Sequence, residues 1–241
     1  MKNVLVTGIM QGLGLQIAKN LLQKGYNVYG VSLKETDTLK ELECLHPKQL
    51  TNIYCDLGNI DNSIDIIFNK VIGFNIPLYG FVNNAAIAYD DIISNLQYKP
   101  LLKMYQINVF SPMMITKYVI RNMLLHRTSG SIVHISSISV HTGYKGLAMY
   151  ASTKGALEAF SKTTAREWGE KGIRSNALVA GFMETSMSST LSKEQRDRIY
   201  KRTSLKIPTT VESVANMVEF LLSDNSRSVT GANVFVDSGT I

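Results

Sequence analysis

The chain has 241 residues, of which 45% are hydrophobic and 18% are charged. This length and balance suit one globular domain over residues 1–241, and they exclude a disordered chain. The formal net charge is +6, but the lysines and arginines are scattered, which argues against a nucleic-acid surface.

The two cysteines, Cys44 and Cys55, form no CxxC pair, and the four histidines are separate along the chain. The sequence therefore predicts reduced thiols and no metal site. The first apolar run ends at Gly8 and is too short for a signal peptide or a membrane span. We expect a cytoplasmic protein that does not enter a membrane.

Apolar, β-rich segments alternate with helical patterns along the chain. The expected strands are residues 4–6, 28–31, 53–55, 79–82, 132–135, 177–179 and 234–236. The expected helices are residues 13–23, 60–72, 101–125, 148–168 and 211–222. This alternation predicts an α/β fold with a doubly wound parallel sheet of seven strands and helices on both faces, a Rossmann fold. The polar segment 184–210 lacks such a pattern, and we expect it to be a mobile lid.

The first expected strand ends in a glycine-rich turn, Thr7-Gly8-Ile9-Met10-Gln11-Gly12-Leu13-Gly14. Glycines allow the backbone to approach a pyrophosphate, whose charge is attracted to a helix N-terminus. Because the turn follows the first strand and opens a helix, it favours a dinucleotide site over an ordinary turn.

Tyr150 and Lys154 are four residues apart on an expected helix and therefore share one face. A free tyrosine has a pKa of about 10, and a nearby ammonium stabilises the phenolate and lowers that pKa. Such a pair is suited to acid–base catalysis. A Tyr–Lys pair alone, however, more often lies on an exposed helix surface and has no catalytic role.

Pro112 lies inside the expected helix 101–125. Proline has no N–H, so it leaves the carbonyl of Asn108 without its usual partner and bends the helix. A kinked packing helix without a catalytic role would show the same pattern, so the proline does not by itself assign a function to Asn108.

Together these motifs resemble those of the short-chain dehydrogenase/reductase family over nearly the whole chain. The glycine turn has the spacing TGxxxGxG, Asn83-Asn84-Ala85-Ala86 is similar to the family's NNAG, and Tyr150-Ala151-Ser152-Thr153-Lys154 matches its YxxxK. Gly181-Phe182-Met183-Glu184-Thr185 is similar to PGxxxT. Ala180 replaces the proline, which predicts a looser backbone there.

The resemblance implies four catalytic residues, Asn108, Ser137, Tyr150 and Lys154. Tyr150 would transfer a proton, Lys154 would lower its pKa and hold the nicotinamide ribose, and Ser137 would bind the substrate oxygen. The main-chain carbonyl of Asn108 would hold a water beside the lysine. Ser136 is a rival to Ser137, but the thirteen residues from Ser137 to Tyr150 match the spacing in similar relatives.

The expected cofactor is NADP(H). Ser32 stands where NAD-preferring folds have an acid, and Lys34 can pair with a 2′-phosphate or be an ordinary solvated lysine. Gln11 and Leu33 stand where many NADP-binding relatives have arginine. Asp56 either contacts the adenine or caps the helix that begins near Asn59. The expected cofactor contacts are Thr7, Gly8, Gln11, Gly12, Leu13, Gly14, Lys34, Asp56, Leu57, Asn83, Ala85, Tyr150, Lys154, Gly181, Met183 and Thr185.

The pattern is most similar to bacterial 3-oxoacyl-(acyl-carrier-protein) reductases, including the closing Val236-Asp237-Ser238-Gly239. It implies an NADPH-dependent ketone reductase of fatty acid biosynthesis. An acyl carrier protein would dock near Arg127 and Lys171, with Thr128 where close relatives have arginine. The resemblance also implies a homotetramer or homodimer formed through helices 101–125 and 148–168.

Two alternatives remain open. The first is an alcohol or ketone dehydrogenase of a specialised pathway, acting on a sugar, a steroid-like compound or a small ketone. The second is a nucleotide-binding regulator without turnover. A regulator needs no proton-transfer group, so the complete set of four catalytic residues argues against it.

Overall fold

One parallel sheet forms the centre of the computed structural model, which describes residues 1–184 and 192–241. Its strands are β1 (Asn3–Thr7), β2 (Asn27–Ser32), β3 (Leu50–Tyr54), β4 (Leu78–Asn83), β5 (Gly130–Ser137), β6 (Ile173–Ala180) and β7 (Asn233–Val236). Their order is β3-β2-β1-β4-β5-β6-β7, and every neighbouring pair is parallel. This confirms the predicted doubly wound sheet with seven strands.

Helices cover both faces of this sheet. They are α1 (Gly12–Gln23), α2 (Asp37–Leu45), α3 (Ile60–Ile64), α4 (Tyr98–Tyr105), α5 (Ser111–His126), α6 (Ser139–Thr142), α7 (Ala148–Trp168), α8 (Lys193–Arg202) and α9 (Val211–Leu222). Short 3-10 turns lie at Ile93–Asn95, Gly169–Lys171 and Asp224–Ser226. Within the described ranges, no helix is long and apolar enough to cross a membrane.

The strands are apolar throughout because each contributes side chains to a core on either face. In β1, Val4 and Val6 pack in one cluster with residues of α1 and α9. Leu5, between them, joins the opposite cluster with residues of α5. The alternation fixes the register of the central strand.

Two expected helices are less regular than their sequence pattern predicts. The expected helix 60–72 is α-helical as α3 and continues as a π-helix over Asp65–Ile72. The expected helix 101–125 begins earlier, as α4, and contains a π-helical segment at Gln106–Phe110 just before Pro112. Since proline cannot donate the usual bond, a wider turn relieves the mismatch, and such turns are frequent at functional sites.

Helices α2, α6 and α8 have no counterpart among the expected helices. The segment 184–210, expected to be an irregular lid, contains α8, which begins with a capping box between Ser192 and Gln195. Helix α2 is capped by Thr36, whose hydroxyl accepts from the N–H of Leu39. Helix α8 has no buried residue, so no apolar periodicity marks it. The capping box Ser192-x-x-Gln195 was the available signal.

Candidate active site

The glycine-rich turn joins β1 to α1 at the carboxyl edge of the sheet. Gly8 and Gly12 adopt φ angles of 76° and 56°, which favour glycine. A Cβ on Gly8 would lie 2.8 Å from the Cα of Ala85, so the turn packs directly against the segment after β4. This close approach explains why a glycine stands at position 8.

Asn84 holds this turn in place, a role that the sequence pattern did not assign. Its Nδ2 donates to the carbonyls of Thr7 and Gly8 at 3.0 and 3.2 Å. In return, Thr7 Oγ1 accepts from the N–H groups of Asn84 and Ala85, each at 3.1 Å. The two segments therefore form one hydrogen-bonded unit.

A cavity of about 420 Å³ extends from the glycine turn to Tyr150. The expected cofactor residues that line it are Gly8, Gln11, Gly12, Leu13, Gly14, Asp56, Leu57, Ala85, Tyr150, Lys154 and Met183. Helix α1 has no acidic residue in its first turn and no side-chain cap from Gln11. Its first N–H groups are therefore suited to a diphosphate, and the cavity fits a dinucleotide.

Other expected cofactor residues lie off this cavity. Thr7 and Asn83 are buried behind it, where Asn83 Nδ2 lies 3.4 Å from His134 Nδ1. Lys34 is exposed just beyond the lining residues Ser32 and Leu33. Gly181 lines a second cavity, and Thr185 lies outside the described residues. Thr7 and Asn83 are buried and line neither cavity, so their contact with the cofactor stays a prediction.

Asp56 does not cap the helix that follows it. Asn59 caps α3, since its Oδ1 accepts from the N–H of Asn62. Asp56 Oδ1 accepts from the N–H of Gly58 at 2.8 Å and lines the cavity. The capping alternative is therefore wrong, and Asp56 stays available to the cavity.

Tyr150 and Lys154 lie at the inner end of the cavity, on α7. The Lys154 Nζ is 5.6 Å from the centre of the Tyr150 ring and donates to the Ile135 carbonyl at 2.8 Å. Lys154 is only 2% exposed, and burial lowers its pKa to about 8. Burial, with a smaller contribution from the charge of Asp90, raises the pKa of Tyr150 above its ordinary value.

This direction differs from the expected lowering of the Tyr150 pKa by a neighbouring ammonium. The reason is that both groups are withdrawn from water, and desolvation penalises the charged form of each. The sequence shows the lysine next to the tyrosine but not how deeply α7 places them.

Asn108 lies at the centre of the π-helical segment and is 1% exposed. Its Nδ2 donates to the Ile87 carbonyl at 2.8 Å and to Thr153 Oγ1 at 3.1 Å. Its Oδ1 accepts from the N–H of Ile87 at 2.9 Å. The side chain thus ties the segment after β4 to α7 beside Lys154.

Ser137 and Ser136 end β5 but have different partners. Ser136 Oγ donates to the buried carboxylate of Glu158 at 2.5 Å. Ser137 Oγ accepts from the N–H of Ser139 at 3.2 Å, and both serines line the second cavity with Tyr150. Because the Ser136 hydroxyl is committed to Glu158, the geometry favours Ser137 as the substrate-binding serine.

The second cavity, of about 480 Å³, opens from Ser137 and Tyr150. Most of its surface is apolar, with charged groups from Asp90, Lys145 and Arg202. The sequence pattern did not single out these three residues, because they come from separate loops and from α8. Ile135, Tyr150 and Met183 line both cavities.

The backbone at Ala180 is not loose. Ala180 pairs with Ser137 of β5 and Val236 of β7, and its carbonyl accepts from the N–H of Ile138 at 3.0 Å. At the next position, a Cβ on Gly181 would lie 2.6 Å from the Cα of Asp237. The sheet ladder therefore fixes this segment without proline.

Arg127 and Lys171, the expected carrier-docking residues, are exposed at the opposite edge of the sheet. They come just before β5 and β6, whereas the catalytic side chains follow the ends of these strands. Thr128 Oγ1 donates to the Leu78 carbonyl at 3.0 Å and has a structural role. Arg127 and Lys171 line neither cavity.

Comparison with known proteins gives matches over almost the whole chain. The family model described as enoyl-(acyl carrier protein) reductase matches residues 8–240. 3-Oxoacyl-[acyl-carrier-protein] reductase FabG of Buchnera aphidicola subsp. Schizaphis graminum is 32% identical, over 99% of this chain and 96% of its own. L-xylulose reductase of Caenorhabditis elegans is 30% identical, over 99% and 95%. The solved structure of ElxO with NADP bound is 28% identical, with a TM-score of 0.88 over 99% and 98%.

Proposed function

This chain belongs to the short-chain dehydrogenase/reductase family, and we propose that it is an NADPH-dependent reductase that converts a ketone into a secondary alcohol. It is an oxidoreductase that acts on CH–OH or C=O groups with NADP(H). One observation carries the proposal. Tyr150 lies where the first cavity, which the glycine-rich turn lines, meets the second, largely apolar cavity.

Each residue of the site has a separate role in the proposed reduction. When bound in the first cavity, the nicotinamide supplies the hydride. Tyr150 is placed to donate a proton to the substrate oxygen, because it lines both cavities and its hydroxyl, whose pKa burial raises, is protonated at neutral pH. The Ser137 hydroxyl stabilises the same oxygen. Asn108 holds α7 through Thr153, beside Lys154.

We further propose a 3-oxoacyl thioester as the substrate. The second cavity has apolar walls, including Leu147, Phe182 and Ile199, that suit an acyl chain. Arg202 and Lys145 in the same wall offer charge to an anionic carrier arm. The identity to the 3-oxoacyl-[acyl-carrier-protein] reductase of Buchnera aphidicola supports this choice.

A polyhydroxylated ketone, such as a sugar, is the second candidate. Asp90 lines the second cavity, and its carboxylate is a suitable acceptor for substrate hydroxyls. The similarity to L-xylulose reductase points the same way. A carboxylate in contact with an acyl chain has no comparable use.

Turnover of a panel of ketones with NADPH and NADH tests these proposals. The panel contains acetoacetyl and longer 3-oxoacyl thioesters, ketose sugars and cyclic ketones. Each is assayed with the wild type and with Asp90→Asn. A sugar reductase should lose kcat/KM in Asp90→Asn, whereas a thioester reductase should keep it within about threefold. Absence of turnover across the panel in both directions would refute the proposed ketone reductase.

A further inference from the structure

Glu158 is a buried carboxylate outside both cavities. It lies on α7, one turn after Lys154 and two turns after Tyr150, and is only 7% exposed. Its oxygens bind three side chains: Ser136 Oγ at 2.5 Å, His141 Nε2 at 3.0 and 3.1 Å, and Asn233 Nδ2 at 2.6 Å. A buried carboxylate is costly unless it is paired, and here every partner comes from a different element.

Two of these partners flank Ser137 in the chain. Ser136 precedes it on β5, and His141 follows it on α6, where its ring also packs edge-on against Phe235 at 5.1 Å. Helix α6 begins at Ser139, whose N–H donates to Ser137 Oγ. The Glu158 carboxylate therefore binds one side chain on each side of Ser137 in the sequence, Ser136 before it and His141 after it.

We infer that Glu158 is a positioning residue that fixes the Ser137 hydroxyl relative to Tyr150. It joins the helix that carries the proton-transferring group to the segment that carries the oxygen-binding group. The Ser139 N–H occupies one acceptor position on Ser137 Oγ and leaves the hydroxyl proton free to be donated, and Ser137 lines the second cavity. A shift of about 1 Å between such groups can cost a hundredfold in rate. The inference rests on the proposed reductase function.

The first test compares Glu158→Leu, Glu158→Gln and Ser161→Ala. Ser161 is a matched control, since its hydroxyl joins the same helix to Ser175 of β6 at 2.8 Å, away from Ser137. On a ketone that the wild type reduces, Glu158→Leu should lower kcat by about tenfold or more, with KM for NADPH within about twofold. Glu158→Gln keeps the shape of the side chain and one acceptor oxygen, and its NH2 can donate to Asn233 once that amide turns its oxygen inward, so kcat should recover to within about threefold of the wild type. Ser161→Ala should stay within about twofold of the wild type.

A double-mutant cycle identifies the residue through which Glu158 acts. If it acts through Ser137, then Glu158→Leu added to Ser137→Ala should lower kcat by less than about twofold. If the two substitutions instead lower kcat independently, so that their fold losses multiply in the double variant, this result would overturn the inference. So would a Glu158→Leu variant whose kcat equals that of Ser161→Ala. If Glu158→Leu does not fold, Ser136→Ala removes one bond of the network and should lower kcat by about threefold, again only when Ser137 is present.

A readout without turnover separates this inference from the proposed function. Amide hydrogen exchange in residues 137–142 should become at least about tenfold faster in Glu158→Leu or Ser136→Ala, and stay unchanged in Ser161→Ala. Unchanged exchange in this segment would overturn the positioning role, even with an active enzyme. Faster exchange in a protein that reduces no ketone would instead count against the proposed function.

Discussion

Lys154→Met should stabilise the protein without cofactor at neutral pH and lose this advantage in alkali. Lys154 is 2% exposed, and burial lowers the pKa of its ammonium from 10.5 to about 8. Below pH 8 the folded protein therefore holds a charge that the unfolded chain solvates better. Methionine has a similar length and no charge, so it removes this penalty.

The difference between 10.5 and about 8 corresponds to about 3 kcal/mol at pH 7. Losing the bond to the Ile135 carbonyl offsets about 1 kcal/mol of this gain at every pH. The variant should therefore be about 2 kcal/mol more stable than the wild type at pH 7. Between pH 8 and 10.5 the folded wild type binds fewer protons than its unfolded chain, so its stability relative to the variant rises. By pH 10 the wild type and Lys154→Met should have about the same free energy of unfolding.

Urea unfolding of both proteins from pH 7 to pH 10, followed by the fluorescence of Trp168, measures this difference. Lys162→Met is the matched control, because Lys162 is an exposed lysine on the same helix. Its effect on the free energy of unfolding should not change with pH. If the free energies of unfolding of the wild type and Lys154→Met differ by the same amount at pH 7 and at pH 10, the lowered pKa of Lys154 is refuted.

The other predictions concern chemistry, cofactor and assembly. Tyr150→Phe should lower kcat by at least about 10²-fold and leave NADPH affinity within about twofold, as measured by kinetics and fluorescence titration; wild-type turnover would show that another group donates the proton. Lys34→Ala should weaken NADPH about fivefold and NADH hardly at all, since only the former carries a 2′-phosphate. Light scattering should give a dimer or tetramer, because α5 and the π-helical segment before it expose Phe110 and Leu125; a monomer mass at micromolar concentration would contradict it.

The sheet was predictable because its strands are buried on both faces and carry continuous apolar runs. The ends of the seven strands lie within four residues of the expected positions, with the largest difference at the start of β6. Helix α8 was not predictable from apolar periodicity, because it is exposed and has no apolar stripe. The sequence indicates this helix only through the capping box that begins at Ser192. The π-helical turn before Pro112 also escaped prediction, since the proline indicates a distortion but not its form.

In the site, the residues of contiguous motifs were predictable and those brought together by tertiary packing were not. The glycine turn and the Tyr150–Lys154 pair line one cavity, as the family resemblance implies. Asn84, Asp90 and Glu158 act through partners that are distant in sequence. The direction of the Tyr150 pKa was wrong for the same reason, because desolvation depends on depth and not on neighbours in the chain.

Burial at this site has opposite consequences for stability and for chemistry. For Lys154, it places a charge in a poor solvent and makes the folded state less stable at neutral pH. For Tyr150, it raises the pKa of a hydroxyl that is protonated at neutral pH in any case, so the phenolate forms only at higher pH. A more exposed α7 would bring both pKa values back toward their ordinary positions, so that the Lys154 ammonium would cost less and the Tyr150 phenolate would form more readily. Because the phenolate is the form that accepts a proton from an alcohol, the depth of this helix moves alcohol oxidation to higher pH than ketone reduction. The cost of the same depth in stability is what Lys154→Met measures.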